Sequence, residues 1–420
     1  MKVDSVEEQL RLVSHMSSLQ CQHVIIARSI QHQLNYIFRC TPCGDIAFAD
    51  LAGRYDKLIT STIARCPHHY TFISDLSSAI TFLPLSKGGI GLRKWFDTAD
   101  SAYLASYLTC ANFLINNYPR LKPAFPQLHP SFIPPQSPHF PPSSTAAHSA
   151  LIRLQAIDKA VTDLLKPTPD NIHQLQTKLS SFVHQRNFQL INAKLLSSTS
   201  PYATHFRAHF LSSQGDSHSF QTIPIDTDTT LNNRQMMIAV ILKTLTPLIP
   251  ANLQCTDHSN PTVICPCCSK SCDSFGIHSF QCPKDGHKYR TQLLHDKLCR
   301  VWCSALRHAG YKVLLEPSGM VLSNGKRPDL VIQLENGTTL FIDLRTCDPL
   351  LSDIVEKAST TSGVAANKGE ALKNKDWKEL LDTQGDPFLP ICHERGGLIS
   401  DGALNLLRLA SLQFSPSLHA

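Results

Sequence analysis

The sequence predicts an α+β protein: a helical N-terminal half, a short cysteine- and histidine-rich knuckle, and a C-terminal α/β core. Three observations predict it. Apolar residues recur at three- and four-residue spacing through residues 5–122, the period of an amphipathic helix. Five of the fifteen cysteines fall between Cys265 and Cys282. After Gly310 the helical period gives way to short apolar runs around an Asn-Gly turn, a hairpin signal.

Residues 1–122 form the first helical part. "EEQLRLVSHMSSLQCQHVIIARSIQHQLNYIF" and "FDTADSAYLASYLTCANFLINNY" carry the helical period. Between them, "FLPLSKGGIGLRKW" holds Pro84 and Gly88, Gly89 and Gly91, which read as a turn; a lone GGxG is a weak phosphate-loop signal. Residues 123–142 contain eight prolines, so 123–147 reads as a linker. A second helical stretch, 148–252, follows. An alternative ligand set of Cys40, Cys43, Cys66 and His69 spans a long helical stretch, and ordinary packing is the simpler reading.

Bulk properties bound the function. With 420 residues and 42% hydrophobic content, the chain can bury a sizeable core. A net charge of +6 permits a nucleic-acid partner without demanding one. The N-terminus carries Glu7 and Glu8 and no apolar core, so it does not read as a signal peptide. No apolar run reaches the roughly 18–20 residues of a membrane span. These features predict an intracellular protein with reduced thiols.

Within residues 253–286, Cys265, Cys268, His278 and Cys282 give C-x2-C-x9-H-x3-C. Cys-x2-Cys lets one tight turn present two thiolates, and His-x3-Cys lets one helical turn present two further ligands, as a tetrahedral Zn²⁺ site requires. Cys267 and Cys272 are spare thiols, and either could replace one of these ligands.

Residues 287–420 begin with a basic helix, "HKYRTQLLHDKLCRVWCSALRHAG". Tyr289, Leu293, Leu294, Leu298, Val301, Trp302, Ala305, Leu306 and Ala309 are expected on its apolar face. Lys288, Arg290, Lys297, Arg300 and Arg307 surround it, and Gly310 ends it. Cys299 and Cys303, four apart, read as small core residues. Three strands follow: "YKVLLEP", "RPDLVIQLE" and "TTLFIDLRT". With a turn at "ENG", Asp329 and Asp343 face each other near the open end of a buried hairpin. Two such carboxylates repel and call for a cation, a proton or a basic neighbour.

Taken in order, these segments resemble the C-terminal part of non-LTR retrotransposon reverse transcriptase polyproteins that carry a restriction-enzyme-like endonuclease. "FLPLSKGGIGLRKWFDTADSAYLASY" resembles the thumb region and "NAKLLSSTSPYATHFRAHFL" the helical spacer. "CPCCSKSCDSFGIHSFQC" is similar to the family's zinc knuckle. "YRTQLLHDKL", "LLEPSG", "KRPDLV", "FIDLRTCDP", "GEALKNKDW" and "FLPICHERGGLISDGALNLLRLA" resemble successive endonuclease blocks.

The resemblance implies a PD-(D/E)xK-like core, a small mixed sheet flanked by helices, that cuts DNA with Mg²⁺. Asp329 and Asp343 match its carboxylates, and Lys326/Arg327 with Pro328 its preceding basic and proline positions. Arg345 stands where many relatives of the fold carry lysine. In this family a lysine from a later helix substitutes, and Lys373 matches it, with Lys368 and Lys375 nearby. Glu316 is a candidate outer ligand, and Asp348 a turn cap.

The implied cofactors are structural Zn²⁺ and catalytic Mg²⁺. The implied partner is DNA, with element RNA as a further candidate, and chromosomal DNA as substrate implies a nuclear site of action. Lys288, Arg290, Lys297, Arg300, Lys326 and Arg327 are the expected phosphate contacts. The polymerase palm motif is not found: "FAD" at 48–50 lacks the second aspartate. The chain thus reads as a fragment without reverse transcriptase activity. The competing expectations are a nucleic-acid-binding protein with an idle nuclease fold, and a non-functional retroelement fragment.

Overall fold

The computed structural model describes residues 2–42, 46–64, 75–124, 142–165, 174–214, 230–248, 263–265, 267–273, 275–282, 284, 286–318, 326–334, 337–377 and 387–413. The chain divides into two compact units, residues 1–194 with 218–240, and residues 195–217 with 241–420.

The first unit is helical in its described residues, as its apolar spacing predicts. Its longest helix, Trp95–Asn117, starts where Asp56 accepts the backbone N–H groups of Trp95 (2.8 Å) and Phe96 (3.0 Å). A side-chain acceptor there satisfies donors that a helix N-terminus leaves over. Burial pushes the Asp56 carboxyl up to about 7. The glycine segment before this helix is a turn. Gly88 and Gly91 have φ of 85° and 80°, and a Cβ on Gly89 would lie 2.0 Å from the Leu83 carbonyl oxygen.

The expected linker is partly helix. Residues 142–147 open the helix Pro142–Gln155, where Pro142 at the first position loses no hydrogen bond. Ala150, Leu151 and Leu154 of this helix share a core with Leu104 and Leu108, closed by Leu175, Leu179 and Val183. The expected spacer therefore packs with the N-terminal helices up to about residue 194 and does not form a separate domain. Residues 125–141, and Cys43, Cys66 and His69 of the alternative ligand set, lie outside the described residues.

The second unit is built on two sheets. A small antiparallel pair, β1 (Val263–Ile264) and β2 (Ser271–Cys272), precedes the helix Ile277–Gln281. The larger sheet has β3 (Lys312–Leu315), β4 (Leu330–Gln333), β5 (Thr339–Cys347) and β6 (Phe388–Glu394) in sequential order. The pairings β3–β4 and β4–β5 are antiparallel, and β5–β6 is parallel. A parallel neighbour needs a crossover, and the helix Val364–Asp376 lies within it. The order around the sheet is thus helix, three strands, helix, strand, with the closing helix Asp401–Gln413 after it.

Alternation along the strands assigns the two faces. Leu330, Ile332, Ile342, Leu344 and Ile391 face Trp302 and Leu306 of the helix Gly286–His308 and Leu406 of the closing helix. On the other face, Val331 and Phe341 pack against Trp377, which stacks on Phe388 at 5.0 Å. Cys347 and Cys392 pack there against Val364, Ala365 and Ala366.

The basic helix is rotated from the sequence expectation. Among its described side chains the buried ones are Cys299, Trp302, Cys303 and Leu306, whereas Leu293, Leu294 and Val301 are exposed. Small thiols at 299 and 303 let the helix sit close to the sheet, and that sets the contact stripe. The hairpin turn also differs in detail. Leu334 N–H donates to Thr338 O, Gly337 N–H donates to Leu334 O, and Gly337 has φ of 82°. This is a three-residue loop with left-handed Gly337, although Glu335 and Asn336 lie outside the described residues.

Candidate functional site

The knuckle gathers its four expected ligands. Cys265 and Cys268 come from the turn between β1 and β2, His278 from the helix Ile277–Gln281, and Cys282 caps that helix. Their ligand atoms all lie within 4.8 Å of one another. Cys265 Sγ and Cys282 Sγ are 3.6 Å apart, and Cys268 Sγ is 3.1 Å from His278 Nε2. Ligands of one tetrahedral zinc, with bonds of about 2.0–2.3 Å, stand roughly 3.5–3.8 Å apart. The Cys3His cluster could therefore hold a metal such as zinc. Among the described residues no other thiol belongs to this quartet, so Cys267 and Cys272 are not members of it.

Local geometry shapes this site before any metal binds. Ser269 and Gly276 take left-handed φ of 58° and 78°, which closes the two turns. Asp273 accepts the N–H groups of Phe275 and Ile277 (2.9 Å each) and His278 (2.6 Å), fixing the helix that carries two ligands. The backbone N–H groups of Cys267 and Cys268 point at Cys265 and hold its thiol down at about 6, favouring the thiolate. Gln281 ties the knuckle to the turn that follows β5 by donating to Leu350 O.

The second centre lies where β4 begins. Leu330 pairs with Ile342, so one further step sets Asp329 opposite Asp343, as the sequence predicts. Besides Lys373, which the resemblance named, each carboxylate has a partner that the sequence did not reveal. Asp329 Oδ2 accepts the Leu344 N–H at 2.6 Å and lies 3.1 Å from His295 Nε2. Asp343 Oδ2 accepts from Lys373 Nζ at 2.6 Å and from Trp377 Nε1 at 2.7 Å.

The two aspartates titrate in opposite directions. Burial and the hydrogen-bonded Asp329 push Asp343 up to about 6, with Lys373 opposing. Burial also disfavours the Asp329 charge, but hydrogen bonds from His295, Asp343 and Leu344 outweigh it and hold Asp329 below the usual range. The pair is thus one charge short of full ionisation at mildly acid pH, as facing carboxylates are. The bond to Asp329, helped by Cys299, raises His295 to about 11 against the cost of burial.

The three candidate lysines separate. Lys373 reaches Asp343, whereas Lys368 pairs with Asp353 on the surface and Lys375 is exposed. The helix bearing Lys373 is aimed by Glu394 of β6, whose Oε1 accepts the N–H groups of Ala365 (2.9 Å) and Ala366 (3.0 Å) at its N-terminus. Glu394 is buried, a costly place for a carboxylate without such donors. Asp348 caps a turn, accepting from Leu350 N–H at 3.0 Å.

The remaining candidates are spread around this centre. Glu316 N–H donates to Asp329 O at 2.8 Å, but a φ of 43° turns the residue out of β3, and its carboxylate binds Arg327 at 2.7 Å. Lys326 pairs with Asp376 at 3.3 Å. Both members of the basic pair are therefore engaged by acidic neighbours. Lys297 and Arg300 are exposed on the long helix, and Arg307 donates to the Val313 carbonyl. The side chains of Lys288 and Arg290 lie outside the described residues. No helix among the described residues is long and apolar enough to cross a membrane.

His295, Trp377 and Glu394 escaped the sequence reading. The i,i+4 spacing of His295 and Cys299 was the one local signal available; the other two contacts span 34 and 28–29 residues. No family model matches this sequence, and no curated protein matches it significantly.

Proposed function

We propose that the chain is the DNA-nicking region of a retrotransposon-derived protein, a Mg²⁺-dependent endonuclease with a PD-(D/E)xK-like core and a zinc knuckle. The observation that carries this reading is the pair of buried Asp343 and partly buried Asp329, with Lys373 2.6 Å from Asp343. A mixed four-stranded sheet with helices packed on both faces agrees with the core that the resemblance implies.

The donor set suits the metal. Mg²⁺ takes oxygen ligands, prefers one or two carboxylates and retains several waters. Asp329 and Asp343 would hold it, and when bound it supplies a water of lowered pKa and takes up charge at the phosphate. The chain's own groups do the rest. Lys373 supplies a positive charge beside the reacting phosphate. Trp377 fixes the Asp343 carboxylate, and the Leu344 N–H fixes Asp329. Zn²⁺ at the knuckle is structural, because four protein ligands leave no open position. DNA is the proposed partner, met through Lys297 and Arg300, with element RNA as a further candidate; the nucleus is the proposed compartment. No polymerisation is proposed for these residues.

A second reading has its own support. Each aspartate already receives two N–H donors or cations, and Lys326 and Arg327 are engaged. A nucleic-acid-binding protein with an idle nuclease fold would look the same. The experiment is a supercoiled-plasmid assay with the 420-residue chain. Nicking with Mg²⁺ or Mn²⁺ that stops in EDTA supports the nuclease. Salt-sensitive DNA binding without nicking supports the second reading.

A further inference from the structure

Next to the carboxylate pair stands a donor set that Mg²⁺ does not explain. His295 and Cys299 lie one helical turn apart on the helix Gly286–His308, and Asp329 approaches from the start of β4. One ligand atom from each lies within 4.8 Å of the others. His295 Nε2 is 3.1 Å from Asp329 Oδ2 and 3.9 Å from Cys299 Sγ. A nitrogen, an oxygen and a single sulfur sharing one tetrahedral zinc stand roughly 3.3–3.6 Å apart, closer than two thiolates do, given bonds of about 2.0–2.3 Å. The thiol is 1% exposed and the His295 and Asp329 side chains 23% and 13% exposed, so the cluster is walled on one side and open on the other.

We propose that His295, Cys299 and Asp329 form a second transition-metal site, for Zn²⁺ or a similar borderline divalent ion. One nitrogen, one thiolate and one carboxylate select such ions over Mg²⁺, which favours oxygen ligands. Three protein ligands leave a fourth position for water, unlike the closed knuckle. On binding, His295 and Cys299 each release a proton to solvent and the metal takes their lone pairs. Asp329 belongs to both centres. An ion held by His295 and Cys299 therefore competes with Mg²⁺ for it and switches off the nicking centre; this consequence, and not the binding, rests on the nuclease reading.

The test uses the full chain, reduced and loaded with one equivalent of Zn²⁺ to fill the tighter knuckle, and then titrated with Co²⁺. Thiolate-to-cobalt charge-transfer absorption reports a Cys ligand directly. Wild type is expected to show this band, saturating at one Co²⁺ per chain. His295→Ala and Cys299→Ala are each expected to lose it, with circular dichroism unchanged. If Cys299→Ala fails to fold, His295→Ala decides alone, because its side chain is partly open to solvent. A wild type with no band, or a band that His295→Ala leaves intact, overturns the site. Absence of Mg²⁺-dependent nicking in the zinc-loaded chain before any Co²⁺ is added counts against the nuclease reading alone.

Discussion

Lys373 Nζ sits 2.6 Å from Asp343 Oδ2, joining a helix to the strand it crosses, with side chains 19% and 9% exposed. By contrast, Lys368 meets Asp353 with both side chains about half exposed. Screening leaves such a surface pair little energy, whereas the enclosed pair acts in a lower dielectric. Lys373→Ala is therefore expected to slow nicking by roughly a hundredfold, the size of a lost transition-state charge partner. Lys368→Ala should change it about twofold at most. Single-turnover rates on supercoiled plasmid measure both, and equal effects would remove Lys373 from its assigned role.

The aspartates separate charge from shape. Asp329→Asn and Asp343→Asn keep an oxygen for the N–H groups of Leu344 and Trp377 while removing the negative charge. Each is expected to abolish nicking and unfold in urea at close to the wild-type midpoint. The Ala variants orphan a buried donor and should lose about 1–3 kcal/mol. An Asn variant that nicks at the wild-type rate would sink the metal pair.

Those donors mark the limit of what the sequence disclosed. Asp329 and Asp343 were legible because a hairpin with a Gly turn fixes its own register over a short stretch. The Cys3His quartet was legible because each half lies within one turn of chain. Mutual repulsion of the aspartates was visible too, and with it the need for a cation, a proton or a basic neighbour. The structure adds His295 and Trp377 as compensating partners, each 34 residues from the carboxylate it touches, and sets Lys373, which the resemblance named, 2.6 Å from Asp343. Local pattern carries no information at that range. The rotation of the basic helix was missed for a related reason. Leu293, Leu294 and Val301 outrank cysteine as apolar residues, yet close approach to the sheet favours the small Cys299 and Cys303.

Asp343 makes stability depend on pH. Its folded pKa is about 6 against an ordinary value of 3.8, so the folded protein holds an extra proton between these values. Stability gained this way is full below the unfolded value and is lost as pH rises through the folded one. In EDTA, wild type should lose on the order of 1–3 kcal/mol relative to Asp343→Asn between about pH 4 and pH 7. Urea melts at several pH values test this, and a constant difference between the two proteins would refute it.

Cys268→Ser probes the knuckle. Cys268 Sγ lies 3.1 Å from His278 Nε2, so its loss removes one of four ligands. The reduced chain should fall from one tightly held zinc to none after mild chelation. The larger sheet should remain folded, because its core is made of strands and helices outside the knuckle. Retention of stoichiometric zinc by this variant would point to Cys267 or Cys272 as a ligand.

Gly369 links packing to the position of Lys373. It lies in the helix Val364–Asp376, one turn before Lys373. A Cβ there would stand 2.5 Å from Cys347 Sγ and 2.9 Å from Cys392 Sγ, two buried atoms on neighbouring parallel strands. Short side chains packed in a core cannot swing aside, so the helix must lift from the sheet. Overpacking of this kind costs about 1–3 kcal/mol. The lift also carries Lys373 away from Asp343, so Gly369→Ala should slow nicking while leaving the aspartates intact. Gly53→Ala is the control. It lies inside the helix Ile46–Ala64, and a Cβ added there meets nothing within 4 Å. It should therefore stabilise by about 0.4–1 kcal/mol through lost backbone freedom in the unfolded chain. Thermal melts and nicking rates of both variants decide. If Gly369→Ala is as stable and active as wild type, the close seating of this helix on the Cys347–Cys392 surface does not position Lys373.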